Sequence, residues 1–280
     1  MNHSSTNGYA DIKDVRLYYE ITGEGPNLLL VHAGCADRRM WDGQFLALAQ
    51  HYRVLRYDMR GYGNSNLSTR PFSNRDDLYH LLEFLGIQQA HFVACSMGSL
   101  TATDFAIEHP EKISSLVLVS PALSGYSYDA PPPQSVLDLI AARQSGNLER
   151  AAELQAQIWA NGFKRSPNQV NLQVHELIRQ MSLDALNQQK DAIKETGFLM
   201  EEPLQPPAMG RLEQINVPTL TIAGDMDDDT VLAIADLLAT RIASAQKAVI
   251  HGTAHLPNME KPKEFNQIVL KFLSKDTKVT

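Results

Sequence analysis

One short run constrains this 280-residue chain more than any other stretch. Phe92-Val93-Ala94-Cys95 is continuously apolar and reads as a buried strand, and Met97-Gly98-Ser99 opens a helix, with a lone serine, Ser96, at the junction. So sharp a strand-to-helix turn needs small side chains two positions before and after the turning residue, and Ala94 and Gly98 supply them. The turn leaves the serine oxygen exposed at the strand's end. It points the next backbone N–H, that of Met97, at the same space. That geometry suits a nucleophile.

Strand signals recur along the chain. Residues 15–21, 28–32, 54–57, 92–95, 116–119, 219–223 and 248–251 read as strands. Their nearly unbroken apolar character fits strands covered on both faces, as in a mostly parallel sheet. Helical patterns intervene. Val231, Ile234, Ala235, Leu238 and Ile242 form one stripe of period 3.6, and Phe265, Ile268, Val269 and Phe272 form another. The alternation predicts an α/β fold with a doubly wound, mostly parallel sheet. Residues 124–210 break it, with no convincing strand, Pro131-Pro132-Pro133 at the start and Pro203, Pro206 and Pro207 at the close. Helices are expected there near 134–145, 148–160, 167–181 and 183–195. The expected organisation is a core in two parts, 1–123 and 211–280, with an all-helical lid at 124–210.

Composition narrows the partners. Net charge is −7, and no Lys/Arg-rich block occurs, which argues against nucleic acid or an anionic membrane surface. No apolar run reaches the ~20 residues that span a bilayer. The polar start, Met1 to Gly8, lacks the apolar core of a signal peptide. Two cysteines, Cys35 and Cys95, make neither a disulfide framework nor a zinc-type pair. Free thiols, no metal and a cytoplasmic location are the expectations.

A serine hydroxyl alone is a poor nucleophile. It needs a base, a carboxylate to hold that base in the right tautomer, and N–H donors for the developing oxyanion. His255, in the loop before the last helix, is the candidate base; His251, nearer the strand, competes. Asp227, three residues after Gly224, is the candidate carboxylate among four. Asp228 and Asp229 fit a helix N-terminus, where negative charge is stabilising, and Asp225 fits the turn. The oxyanion donors are expected to be the N–H groups of Met97 and Gly34, the latter in the loop after residues 28–32. His32 in that loop reads as its organiser. Trp41 and Trp159 are candidates for lining the substrate pocket, from the core and the lid respectively. Core packing is the rival explanation for both, and Trp41 is the better placed of the two.

Over nearly its whole length the chain resembles the α/β-hydrolase family. The matching pieces are His32-Ala33-Gly34, Asp58-Met59-Arg60-Gly61-Tyr62-Gly63-Asn64-Ser65, Ala94-Cys95-Ser96-Met97-Gly98-Ser99, Gly224-Asp225-Met226-Asp227 and Gly252-Thr253-Ala254-His255. The family usually carries Gly where this chain has Ala33, Ala94 and Ser99; all three replacements are small. The resemblance implies a Ser–Asp–His order of functional residues. It also implies a structural role for Asp58 and Arg60. The expectation is a cofactor-independent serine hydrolase, monomer or homodimer, acting on small to medium carboxylic esters. The runner-up is an enol-lactone or carbon–carbon bond hydrolase of ring-cleavage products. A hydrolase-derived ligand receptor is the rival from another class. Relatives that open epoxides or remove halides carry Asp at position 96, which disfavours those activities.

Overall fold

Apolar side chains at nearly every position of the central strands require cover on both sheet faces. The structure, a computed structural model, describes residues 5–67, 71–127, 131–194, 197, 199 and 201–276. Among these residues eight strands form one sheet. They are β1 (Thr6–Ile12), β2 (Val15–Thr22), β3 (Asn27–Val31), β4 (Arg53–Tyr57), β5 (Ala90–Cys95), β6 (Ile113–Val119), β7 (Thr219–Gly224) and β8 (Ala245–Ile250). Their spatial order is β1-β2-β4-β3-β5-β6-β7-β8, with β1–β2 and β2–β4 antiparallel and the remaining pairs parallel.

Successive strand residues face opposite layers. Leu29, Val31, Phe92 and Ala94 pack with α2 (Asn74–Phe84), α3 (Met97–Glu108) and α7 (Asp229–Arg241). Leu28, Leu30, Val93 and Cys95 pack with α1 (Asp42–Leu48) and α9 (Pro262–Asp276), the latter preceded by the one-turn α8 (Pro257–Glu260). Between β6 and β7 lie α4 (Gln134–Gln144), α5 (Leu148–Ala156) and α6 (Leu172–Gln189), with an apolar cluster of their own around Leu139, Ala152, Ile158 and Leu186.

Strand β3 lies between β4 and β5, so the winding reverses there. In open α/β sheets the crevice beyond the carboxyl ends of the strands at that reversal is where ligands bind. The loop after β3 and the turn after β5 border it.

Two local expectations change. Strand β1 was not expected in the polar start. It is an edge strand with one covered face, on which Ala10 and Ile12 are buried, and its exposed face hides the pattern. Residues 1–4 of that start lie outside the described residues. The two helices expected at 167–181 and 183–195 are replaced by a short 3₁₀ turn, Pro167–Gln169, and the single helix α6. Asn171 caps α6 by accepting from the N–H groups of Gln173 and Val174. Val174, Ile178, Met181, Ala185 and Leu186 then keep one buried stripe running through Ser182.

Candidate active site

Ser96 adopts φ 54° and ψ −115°, a backbone conformation that L-residues rarely hold. Its surroundings fix it there. The Ser96 N–H donates to the Val119 carbonyl at 2.9 Å, and the Ser99 and Leu100 N–H groups donate to the Ser96 carbonyl. Gly98 lets the turn lie over the end of β3. A Cβ there would come within 2.6 Å of the His32 carbonyl oxygen and 2.7 Å of that of Val31. Ser99, where the family usually has glycine, ties the turn to the loop after β6. Its Oγ donates to the Ser96 carbonyl at 2.6 Å and accepts the Ala122 N–H at 3.0 Å.

Two further loops converge on this turn. Met226 N–H donates to the Thr253 carbonyl at 3.0 Å, joining the loop after β7 to the loop after β8. Gly224 allows that closeness, since a Cβ would lie 2.2 Å from the Thr253 oxygen. His255 Nδ1 lies 3.1 and 3.0 Å from the two carboxylate oxygens of Asp227, and Nε2 lies 2.9 Å from Ser96 Oγ. A carboxylate only accepts, so Nδ1 carries the proton and neutral Nε2 accepts from the serine hydroxyl. Asp227 and His255 are both buried, and the Asp228 N–H donates to Asp227 Oδ1 at 2.8 Å.

The competing residues are used elsewhere. His251 is solvent-exposed and its Nδ1 donates to Asp225, whose other oxygen accepts the Gly252 N–H. Asp228 caps α7 by accepting from the Thr230 N–H, and Asp229 pairs with Lys164. His32 is fully buried. It accepts the Met59 N–H at Nε2 and donates from Nδ1 to the Ala33 carbonyl, while burial pushes its pKa down to about 4. It is a neutral organiser of the β3 loop. Asp58 accepts from the Arg38 and Asn64 N–H groups and pairs with the Arg38 guanidinium, while Arg60 pairs with Asp77 and Asp14. Burial lifts Asp58 to about 6.

A cavity of about 240 Å³ opens over Ser96, walled by Gly34, Met97 and His255. Among the described residues neither the Gly34 nor the Met97 N–H donates to another protein group. Met97 is the first residue of α3, whose N–H has no partner within the helix. Cys35 also borders the cavity; burial raises its thiol to about 12, so it stays protonated. Both cysteines are free.

The two tryptophans exchange the standing the sequence suggested. Trp41 does not reach the cavity. It is fully buried at the end of a 3₁₀ turn, packed against Phe265 of α9 with ring centroids 6.2 Å apart. Trp159 lines the cavity and lies against the His255 ring, centroids 4.6 Å apart and planes at 38°. Four further polar residues line the cavity: Tyr62, which the sequence shows only within the Asp58–Ser65 motif, and Arg143, Gln155 and Gln189. Arg143 donates to Gln155 Oε1 and to the Gly197 carbonyl, and Gln155 and Gln189 donate to the carbonyls of Gly34 and Gly61. The available signal was polarity inside buried stripes, as Gln155 among Ala151, Ala152 and Leu154.

A hydroxyl, an imidazole and a carboxylate in series can pass the serine proton to Nε2 as Oγ attacks an electrophilic carbon. The α/β hydrolase fold model matches residues 26–262. The chain belongs to that family. Relatives span nearly all of it. 2-Hydroxy-6-oxo-6-phenylhexa-2,4-dienoate hydrolase of Comamonas testosteroni is 26% identical over 94% of this chain and 93% of its own length. Pimeloyl-[acyl-carrier protein] methyl ester esterase of Aeromonas hydrophila is 27% identical over 90% of this chain and 96% of its own. The crystal structure of the enol-lactonase from Burkholderia xenovorans superposes with a TM-score of 0.74 at 26% identity, covering 95% of this chain and all of that one. This member of the α/β hydrolase superfamily is a hydrolase. Among the described residues no helix is long and apolar enough to cross a membrane, and no group of His, Cys, Asp and Glu is arranged to hold a metal ion.

Proposed function

We propose that this hydrolase cleaves carboxylic esters of small to medium size through an acyl-enzyme on Ser96. The observation that carries the reading is the contact of Ser96 Oγ with His255 Nε2, at 2.9 Å, with Asp227 on the opposite ring nitrogen. Oγ attacks the ester carbonyl while His255 takes its proton. Asp227 keeps the imidazole in the useful tautomer and stabilises its cation. The oxyanion takes the unpartnered N–H groups of Gly34 and Met97; one such donor typically contributes ~10²–10³ in rate. As the tetrahedral carbon collapses, the C–O bond breaks and His255 returns its proton to the departing alkoxide. Water then repeats the sequence and frees the acid. Helices α4–α6, within residues 124–210, act as the lid that excludes bulk water from this step.

A relative named as a methyl ester esterase supports the ester reading. Enol-lactone or carbon–carbon bond hydrolysis is the second reading, favoured by the names of two other relatives. The test is a panel of p-nitrophenyl esters and enol-lactones, run with a fluorophosphonate probe. Turnover of short esters and labelling that vanishes in Ser96→Ala are the expected results. Lactone turnover without ester turnover selects the second reading. Labelling of Ser96→Ala at the wild-type level moves the nucleophile elsewhere. Saturable ligand binding without turnover selects a receptor.

A further inference from the structure

A second hollow opens beside the first. It encloses about 710 Å³, and it shares two wall residues, Val136 and Trp159, with the 240 Å³ cavity over Ser96. Val136 and Trp159 thus form the boundary, or neck, between the two hollows, and because Trp159 lies against His255 that neck stands next to the imidazole. The outer walls are largely apolar: Pro132 and Pro133 before α4, Phe163 after Trp159, and Val231 and Ala233 of α7. Phe163 is one of the few large apolar side chains that the molecule exposes. Among the described residues the charged groups of the lining are Asp228 and Asp229.

We propose that this outer groove is the leaving-group site, taking the neutral, apolar alkyl or arylalkyl alcohol of an ester whose carbonyl lies at Ser96. The inference rests on the ester reading above. Size is the first argument. Pockets that enclose small-molecule ligands run to ~300–1,000 Å³. The inner cavity falls short of that range, so a substrate larger than a small acyl group extends through the neck. Direction is the second. The carbonyl oxygen turns toward the N–H groups of Gly34 and Met97, whereas the leaving oxygen must meet His255 Nε2 to receive its proton. The alcohol therefore departs on the side that Trp159 covers, which is the side of the neck. Chemistry is the third. Apolar walls reward hydrocarbon, and the carboxylate of Asp228 disfavours an anionic arm, Asp229 being already paired with Lys164.

The test compares kcat/KM for methyl, butyl and hexyl acetate. Each added methylene raises the value by up to about fourfold at full burial. Ala233→Trp fills the groove from an exposed position on α7, and Phe163→Asp places a charge in its wall. Each is expected to lower the hexyl-to-methyl ratio about tenfold. A flat wild-type series, or a ratio that neither variant changes, overturns the groove. Binding of 1-hexanol, followed by the fluorescence of Trp159 at the neck, gives a readout independent of turnover. Saturable binding that Phe163→Asp abolishes, with no acetate hydrolysed, keeps the groove and removes the ester reading. Turnover of methyl acetate with neither chain-length dependence nor hexanol binding removes the groove and keeps the ester reading. Neither turnover nor binding removes both.

Discussion

Arg165 and Glu260 form an ion pair whose side chains are 2% and 5% exposed. Arg165 also donates to the carbonyls of Ala160 and Asn161, at the end of the π-helical turn that carries Trp159. Glu260 accepts the N–H of Ala254, the residue before His255, at 2.9 Å. One buried charge pair thus fastens the turn bearing Trp159 to the loop bearing His255. Removing one partner strands a buried charge, at a cost of ~3–5 kcal/mol. Glu260→Ala is therefore expected to lower Tm by roughly 10 °C. The double variant Arg165→Met/Glu260→Met is expected to unfold closer to the wild type, because no charge is left unpaired. Thermal unfolding of the three proteins checks this; additive losses in the double variant contradict it.

The loop beyond β8 gives its two histidines, His251 and His255, unequal roles. His255→Ala is expected to lower kcat about as far as Ser96→Ala, because groups that act in series lose their effect together. Asp227→Asn is expected to lower kcat by ~10³–10⁴ with the fold retained, since the amide supports the wrong imidazole tautomer. His251→Ala is expected to stay near the wild-type rate, as its exposed ring contacts only Asp225 in this region. Steady-state kinetics on one short ester measures all three. A near-normal Asp227→Asn would transfer the orienting role to a neighbouring aspartate.

Gly63 shows what the loop after β4 demands. Its φ is +50°, and a Cβ would lie 2.3 Å from Asp58 Oδ2. That carboxylate cannot retreat, because Arg38 and the Asn64 N–H hold it. Gly86 has a similar φ of +64° but nothing within 4 Å of its would-be Cβ. Gly86→Ala should therefore cost only the backbone strain, about 1–2 kcal/mol. Gly63→Ala adds an overpacking penalty of ~1–3 kcal/mol. Urea unfolding of the pair separates the two contributions; equal losses would mean that Asp58 moves freely.

How much of this was legible in the sequence depended on whether the signal was local. The turn at Ser96 is written into five consecutive positions. Asp227 and His255 follow apolar strands at short range, and the fold brings both into one hydrogen-bonded line with Ser96. The central strands were readable because both faces are covered, so nearly every position is apolar. Strand β1 was not, because half its residues face water and the stretch looks polar. The tryptophans were misjudged for a different reason. Whether Trp41 or Trp159 meets the cavity depends on how a 3₁₀ turn docks on α9 and how α5 ends, and neither is encoded within a few residues of the side chain. The same holds for Arg143, Gln155 and Gln189, which reach the cavity only through the packing of α4, α5 and α6.

Asp104 lies on the buried side of α3, where its carboxylate accepts from Ser124 Oγ at 2.6 Å. Burial, which outweighs that hydrogen bond, raises its pKa to about 6. The unfolded chain holds the same group near ~3.9. The folded state therefore binds the proton more tightly, and ionisation above pH 6 works against the fold. A difference of about two pKa units corresponds to roughly 3 kcal/mol. Asp104→Asn keeps an acceptor for Ser124 and carries no charge at any pH. The variant is expected to be more stable than the wild type at pH 8 by up to that amount. The advantage should shrink as pH falls through 6 and be gone near pH 4, where the wild-type carboxyl is protonated in both states. Urea unfolding of the two proteins at pH 8, 6 and 4.5 measures the difference, in which every other titrating group cancels. A gap that is constant with pH would mean that Asp104 is ionised in the fold throughout.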